Sequence, residues 1–223
     1  MSGEHDTQSH DPAQTRLRAD AQRNRDRIVA SAKVAFADDG PDVPMEEIAR
    51  LAAVGVGTLY RRFPDREALV IAVVQDSLAT MLARLRACAA HQTATGAWET
   101  LVSGLGDPRE LRLTMRLTSL FSPAASTAVQ ADPMIGQIRR EYSELFEGVV
   151  RAAQAEGSLR ADVGAGDVAH LLSLLAHALS RGPDETAEIA FERARAIVLD
   201  GLRAQPTIPL PGRPLTTADL TRE

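Results

Sequence analysis

Little in this chain can cross-link it or hold a metal. Of 223 residues one is cysteine, Cys88, which excludes an internal disulfide and a cysteine metal cluster. Aromatics make up 4%, with a single tryptophan, Trp98. Lysine occurs once, at Lys33, so the remaining basic residues are arginine. No run approaches the roughly 18 uninterrupted apolar residues of a membrane span, so no membrane partner is expected. Residues Met1 to Thr15 are polar and carry Glu4, Asp6 and Asp11; a signal peptide needs a basic start and an apolar run, and the expected location is cytoplasmic. There is no G-x-S-x-G, no Gly-rich phosphate loop and no His/Glu cluster at ligand spacing, so neither an enzyme nor a cofactor is expected. His170 and His177 fall on one helix face seven residues apart, whereas a metal pair prefers closer spacing and a third ligand. No segment alternates with period two and β-branched residues, which predicts no sheet.

What is present is charge segregation and helical periodicity. Hydrophobic residues are 44% of the chain, enough for a core, and the formal net charge is −5. The stretch Arg16–Ala37 holds six basic residues and two acids, while Ala72–Gln205 holds 13 arginines and 16 acids. A basic start on a mildly acidic body suits a protein that meets phosphates at one end. Residues 1–20 are polar without an apolar period and are expected to be a disordered arm. From Asn24, Ile28, Ala32, Ala35 and Phe36 make one apolar stripe, ended by Gly40 and Pro41. Further helices are expected over Met45–Ala52 (inner face Ile48, Leu51, Ala52) and Val56–Arg62 (Leu59 and Phe63 inward). A long one runs from an N-cap at Asp65 towards Ala90. The remainder reads as Ala97–Leu105, Arg109–Phe121, Pro133–Glu156, Ala165–Arg181 and Asp184–Arg203. The proline-rich last 18 residues form a mobile tail in this reading.

Residues 45–63, MEEIARLAAVGVGTLYRRF, carry the function. Two helices of about seven residues joined by so short a turn must cross steeply, which is helix-turn-helix geometry. The N-terminal end of the second helix then enters the major groove. Val56 can touch a thymine methyl and Gly57 allows close backbone approach. Thr58 and Tyr60 can donate to phosphates, and Arg61, Arg62 and Arg66 can neutralise them, with Arg61 also able to pair with guanine.

On these residues the chain resembles TetR/AcrR regulators. The matching positions are Ile28-Val29-Ala30-Ser31-Ala32, Phe36 and Gly40, then Glu46-Glu47-Ile48-Ala49, then the run Gly57 to Leu69. The resemblance implies an all-α fold: an N-terminal three-helix helix-turn-helix domain and a C-terminal helical ligand-binding and dimerisation domain. It implies that Val56, Gly57 and Tyr60 approach bases and that Thr58, Tyr60 and Arg66 hold the DNA backbone. It also implies a repressor, with a homodimer formed through the last two long helices, 165–181 and 184–203. Two positions depart from the family pattern. Ala53 stands where glycine is usual in the turn, and a left-handed alanine costs on the order of 1 kcal/mol, so a slightly remodelled turn is expected. Gly55 stands where serine is usual, which removes a side-chain cap from the second helix.

The implied domains are 21–68 for DNA binding and 69–204 for ligand binding and dimerisation, flanked by the arm 1–20 and a flexible tail 205–223. The stripes Leu171, Leu172, Leu175, Leu179 and Ile189, Ala190, Ala194, Ile197, Val198, Leu202 are each wide enough to face a core and a partner. Such a dimer would read a palindromic double-stranded operator, its half-sites about one helical turn apart. The candidates for a small hydrophobic effector's pocket are Trp98, Met115, Phe121, Met134, Tyr142, Phe146 and His177, residues that equally suit a plain core. A helical adaptor that binds only protein is the competing function; steep salt dependence of DNA binding would separate the two.

Overall fold

The computed structural model describes residues 12–40, 42–104, 123–178, 185–204 and 208–221. The expected helix Arg109–Phe121, with Met115 and Phe121, lies outside them, as do Leu179 and the side chain of His177. The described residues are helical, without a named strand: α1 (Pro12–Asp38), α2 (Met45–Leu51), α3 (Val56–Arg62), α4 (Arg66–Ala90), α5 (Gln92–Thr95), α6 (Ala97–Gly104), α7 (Pro123–Ala131), α8 (Pro133–Ala155), α9 (Ala165–Ala178) and α10 (Glu185–Leu202). A 3₁₀ turn, Thr217–Thr221, follows.

Helix α1 begins earlier than its apolar stripe, which corrects the expected disordered arm for residues 12–20. Apolar periodicity reports burial rather than helicity. Here Pro12 suits a first turn, and farther along the helix local pairs join Arg23 with Asp20, and Gln22 donates to Asp26 at 2.7 Å. From Ile28 onward the stripe is buried as expected. Helix α2 buries Met45, Ile48, Ala49 and Ala52, whereas Leu51 is 44% exposed, a second correction. Positions i, i+3, i+4 and i+7 define one face, and Leu51 lies about 100° from its centre.

Two apolar cores organise the fold. The first joins α1–α3 to the start of α4 through Phe36, Ile48, Leu59, Phe63 and Leu69, and continues into Ala125 and Val129 of α7 and Ile135 of α8. The second contains Leu85, Trp98, Leu101, Phe146, Val168 and Leu202. Helix α4 belongs to both. By length and composition it could cross a membrane, but Leu69, Val70, Val73 and Val74 are buried in the first core and Leu85 in the second. Helix α7 was not foreseen, because Pro123 reads as a breaker although proline is tolerated in a first turn.

Acids at helix starts fix the joints. Asp65 accepts from Ala68 N–H at 2.7 Å, and Asp132 accepts from Ile135 N–H at 2.8 Å. Asp132 also accepts from Gln75 Nε2 at 3.1 Å, which ties the start of α8 to α4. Glu156, just past α8, accepts from Ala97 N–H at 2.7 Å and so caps α6 from a distance. Lys33 of α1 meets Asp76 of α4 at 2.5 Å.

The C-terminal segment is where sequence and structure differ most. The tail expected to be mobile is, over residues 208–221, a strap docked against α8 and α9. Its prolines do exclude a helix, but its polar backbone is taken up by acids of the body. Leu210 N–H donates to Asp162 at 2.9 Å and Leu215 N–H to Asp167 at 3.0 Å, while Gly166 N–H donates to the Leu215 carbonyl at 2.9 Å. The Thr217 hydroxyl donates to Glu147. The Asp162 carboxyl is held well below the usual carboxylate range, first by Arg160 donating to it and then by the Leu210 N–H. Gly164 and Gly166 permit this contact, because a Cβ on either would collide with the carbonyl of Leu215 or Thr216.

Two outcomes follow. In the turn after α2, Ala53 has φ +51°, so the turn keeps its left-handed residue and is not remodelled. Ala53→Gly should therefore raise unfolding free energy by about 1 kcal/mol, read from denaturant melts. Gly166→Ala should release the strap, raising hydrogen exchange across 208–221 at least tenfold while the global melting temperature stays within a few degrees. Unchanged exchange would mean that the close approach at Gly166 does not hold the strap.

Candidate nucleic-acid interface

The sequence Met45–Phe63 builds two short helices whose apolar faces are spent on each other and on α1 and α4. Leu59 is fully buried and Phe63 nearly so, which fixes the roll of α3 about its axis. With that side committed, Val56, Gly57, Tyr60, Arg61 and Arg62 are left on the outside. Val56 is 39% and Tyr60 41% exposed, unusual for large apolar and aromatic side chains without a covering element. A Cβ on Gly57 would meet nothing within 4 Å, so the helix surface there is flat and open. Thr58 is half-buried.

Helix α3 starts at Gly55, with φ −68° and ψ 144° and no side-chain cap, which matches the loss expected from a glycine at this position. Its first turn is closed by backbone alone: Thr58 N–H donates to the Gly55 carbonyl at 2.8 Å and Leu59 N–H to the same oxygen at 3.1 Å.

The charged side chains differ in what they are free to do. Arg61 and Arg62 sit exposed in the last turn of α3. Arg50 of α2 is bound to Glu47, with Nε to Oε2 at 2.8 Å and Nη2 to Oε1 at 2.5 Å. That donation holds the Glu47 carboxyl below its ordinary value and the Arg50 guanidinium above. Arg50 therefore offers less net charge to an incoming anion than Arg61 or Arg62. Arg66, half-buried at the start of α4, donates to the Val43 carbonyl and pins the loop before α2. The Tyr60 hydroxyl lies 3.4 Å from Glu46 Oε1, a long contact between α3 and α2. Spacing along the chain could not have paired Glu46 with Tyr60, because they sit on different helices whose crossing sets the distance.

The proposed effector residues are partly brought together. Trp98 and Phe146 are buried in the second core, and Tyr142 packs against it. The Tyr142 and Phe146 rings stack at 5.8 Å between centroids and 14° between planes. The hydroxyl end of Tyr142 is desolvated enough that burial pushes its pKa up to about 12, although the residue as a whole is half-buried. The Arg203 guanidinium lies 4.6 Å from the Trp98 ring centroid. Met134, at the start of α8, is 57% exposed and stands away from this group. Ser77 of α4 was not singled out from the sequence. It is buried, and its Oγ has no hydrogen-bond partner among the described residues. On α9 and α10, Val168, Leu172, Phe191 and Leu202 face inward, while Leu174, Ile189 and Ile197 are exposed. His170 is exposed, and among the described residues no group of three metal-ligating side chains comes together.

This arrangement has known counterparts. Residues 28–73 match the family of bacterial regulatory proteins, tetR family, and residues 114–204 match the SbtR-like transcriptional regulator C-terminal domain. The fold is similar to the crystal structure of the TetR transcriptional regulator SCO0520 from Streptomyces coelicolor, with a TM-score of 0.58 and 28% identity over 81% of this chain and 99% of that one. It is also similar to a TetR transcription regulatory protein from Mycobacterium vanbaalenii, with a TM-score of 0.54 and 31% identity over 84% of this chain and 99% of that one. An HTH-type transcriptional regulator of Staphylococcus aureus is 37% identical over 71 residues, which spans 31% of this chain and 38% of that regulator. Likeness over nearly the whole length of a 31% identical relative, with both halves matched in order, gives the family: this chain belongs to the TetR family of DNA-binding transcriptional regulators.

Proposed function

We propose that this protein is a cytoplasmic, homodimeric repressor that is released from a palindromic operator by a small hydrophobic effector. The observation that carries the DNA-reading part is the exposed face of α3. The burial of Leu59 and Phe63 leaves Val56, Gly57, Tyr60, Arg61 and Arg62 outward on one short helix. In this reading Val56, Gly57 and Tyr60 meet base edges. Thr58, Arg61 and Arg62 meet phosphates, and Arg66 acts both on the backbone and on the loop it pins.

The dimer reading is supported by Leu174, Ile189 and Ile197, apolar side chains that α9 and α10 leave uncovered. We assign residues 21–68 to DNA binding and 69–204 to effector binding and dimerisation, with α4 common to both. The effector reading is supported by the aromatic group Trp98, Tyr142 and Phe146, which the second core brings together. Effector binding would then shift the population towards a dimer whose recognition helices are out of register with the grooves.

Two experiments test this. The protein should bind DNA upstream of its own gene at 50 mM salt and weaken steeply by 200 mM. Arg61→Ala or Arg62→Ala should lower the slope of log K against log salt by about two units per dimer, because each protomer then leaves one more phosphate un-neutralised. Tyr60→Phe should weaken specific binding more than binding to random DNA. Ile197→Glu should convert the dimer to monomers in sedimentation and abolish high-affinity operator binding, while the helical circular dichroism signal stays unchanged. A monomeric wild type, or an Ile197→Glu dimer, would refute the assigned interface.

A further inference from the structure

The strap does more than cover the body, because it closes one side of a cavity. Between α8 and the strap lies a cleft of about 400 Å³, within the range of small-molecule sites, lined by Arg139, Arg140, Ser143, Glu144 and Glu147 of α8 and by Thr217 and Ala218 of the strap. It opens on the side of α8 that carries Arg140 and Ser143, away from the residues that α8 buries in the cores, Ile135, Phe146, Val149, Val150 and Ala153. It is therefore separate from the aromatic group assigned above to the effector.

Arg139 is the unusual side chain there. Arg86, Arg160 and Arg213 each meet a carboxylate, with Glu141, Asp162 and Asp219 respectively. Arg139 is half-buried and meets none among the described residues. Burial alone lowers its pKa from the ordinary arginine value, yet a guanidinium stays charged in a protein. A partly desolvated cation without a counter-ion, in a cleft, favours an anion.

The remaining charges set the anion's class. Glu147 is already engaged: it accepts from the Thr217 hydroxyl and pairs with Arg151 at 3.7 Å. The lining itself balances two guanidiniums against two carboxylates, and it is Arg151, paired with Glu147 just outside the lining, that leaves Arg139 and Arg140 one positive charge in excess over Glu144. Such a balance suits a monoanion, and a dianionic phosphate would meet Glu144 unfavourably. Planar guanidinium matches carboxylate in a two-point contact, and the Ser143 hydroxyl lines the same wall.

We propose that the cleft between α8 and the C-terminal strap is a binding site for a small organic monocarboxylate, held by the Arg139 guanidinium and roofed by Thr217 and Ala218. Ligand in the cleft adds contacts to the strap, so occupancy and strap docking reinforce one another.

The test titrates the full chain at pH 7.5 with acetate, octanoate, benzoate, inorganic phosphate and the neutral benzamide, followed by calorimetry and by hydrogen exchange over 208–221. At least one of the three carboxylates should bind and slow exchange of the strap. Benzamide and phosphate should bind at least tenfold more weakly. Arg139→Gln should lose at least tenfold in carboxylate affinity at an unchanged melting temperature, and Arg139→Lys, which keeps the charge and loses the two-point geometry, should fall between. Three results overturn the proposal: no carboxylate binds, one binds equally well to wild type and Arg139→Gln, or phosphate binds better than every carboxylate.

Discussion

The structure depends on one helix being buried twice. Helix α4 is 25 residues long, which at 1.5 Å per residue spans roughly 37 Å. Its first half supplies Leu69, Val70, Val73 and Val74 to the core of the helix-turn-helix, and its second half supplies Leu85 to the other core. Neither half of the protein can rotate about this helix without opening a core, and each fully buried leucine or valine contributes about 1.5–3 kcal/mol against that. The first core also reaches into α7 and the start of α8 through Ala125, Val129 and Ile135. The helix-turn-helix is thus packed against helices that lie far along the chain, and a shift of α8 has a packed route to α3.

The helix-turn-helix itself is held by tertiary burial rather than by local preference. Helix α3 has seven residues and no side-chain cap, and a helix that short is marginal alone. The turn before it places an alanine at φ +51°. Two local penalties are tolerated because Leu59 and Phe63 leave α3 one way to sit. The same burial forces its polar and open residues outward, so the packing that stabilises the motif also presents the face proposed to meet DNA.

At the opposite end a segment rich in proline is ordered by acids. Asp162, Asp167 and Glu147 accept from the strap, and glycines at 164 and 166 let its backbone come close. The cleft beside Arg139 is lined by α8 and by Thr217 and Ala218 of the strap, so it joins residues about 80 positions apart.

Much of this was legible in the sequence. Periods of three and four residues marked the buried face of α1 and the inward pair Leu59 and Phe63, because a helix that covers a core must place apolar residues at that spacing. The short run between two seven-residue helices dictated a steep crossing and hence the exposed end of α3. Misread were the features for which local pattern carries no signal. Residues 12–20 are helical without an apolar period, α7 starts at a proline, and Leu51 lies off the α2 face. The pairing of Glu46 with Tyr60, the pinning of Val43 by Arg66 and the docking of the strap each join residues remote in sequence. Periodicity and composition determined the helices, the recognition motif and the family, since those follow from how one element buries one face. The tertiary structure alone decided which polar groups are left without partners, at Ser77 and Arg139, because burial and pairing depend on what the rest of the chain brings alongside.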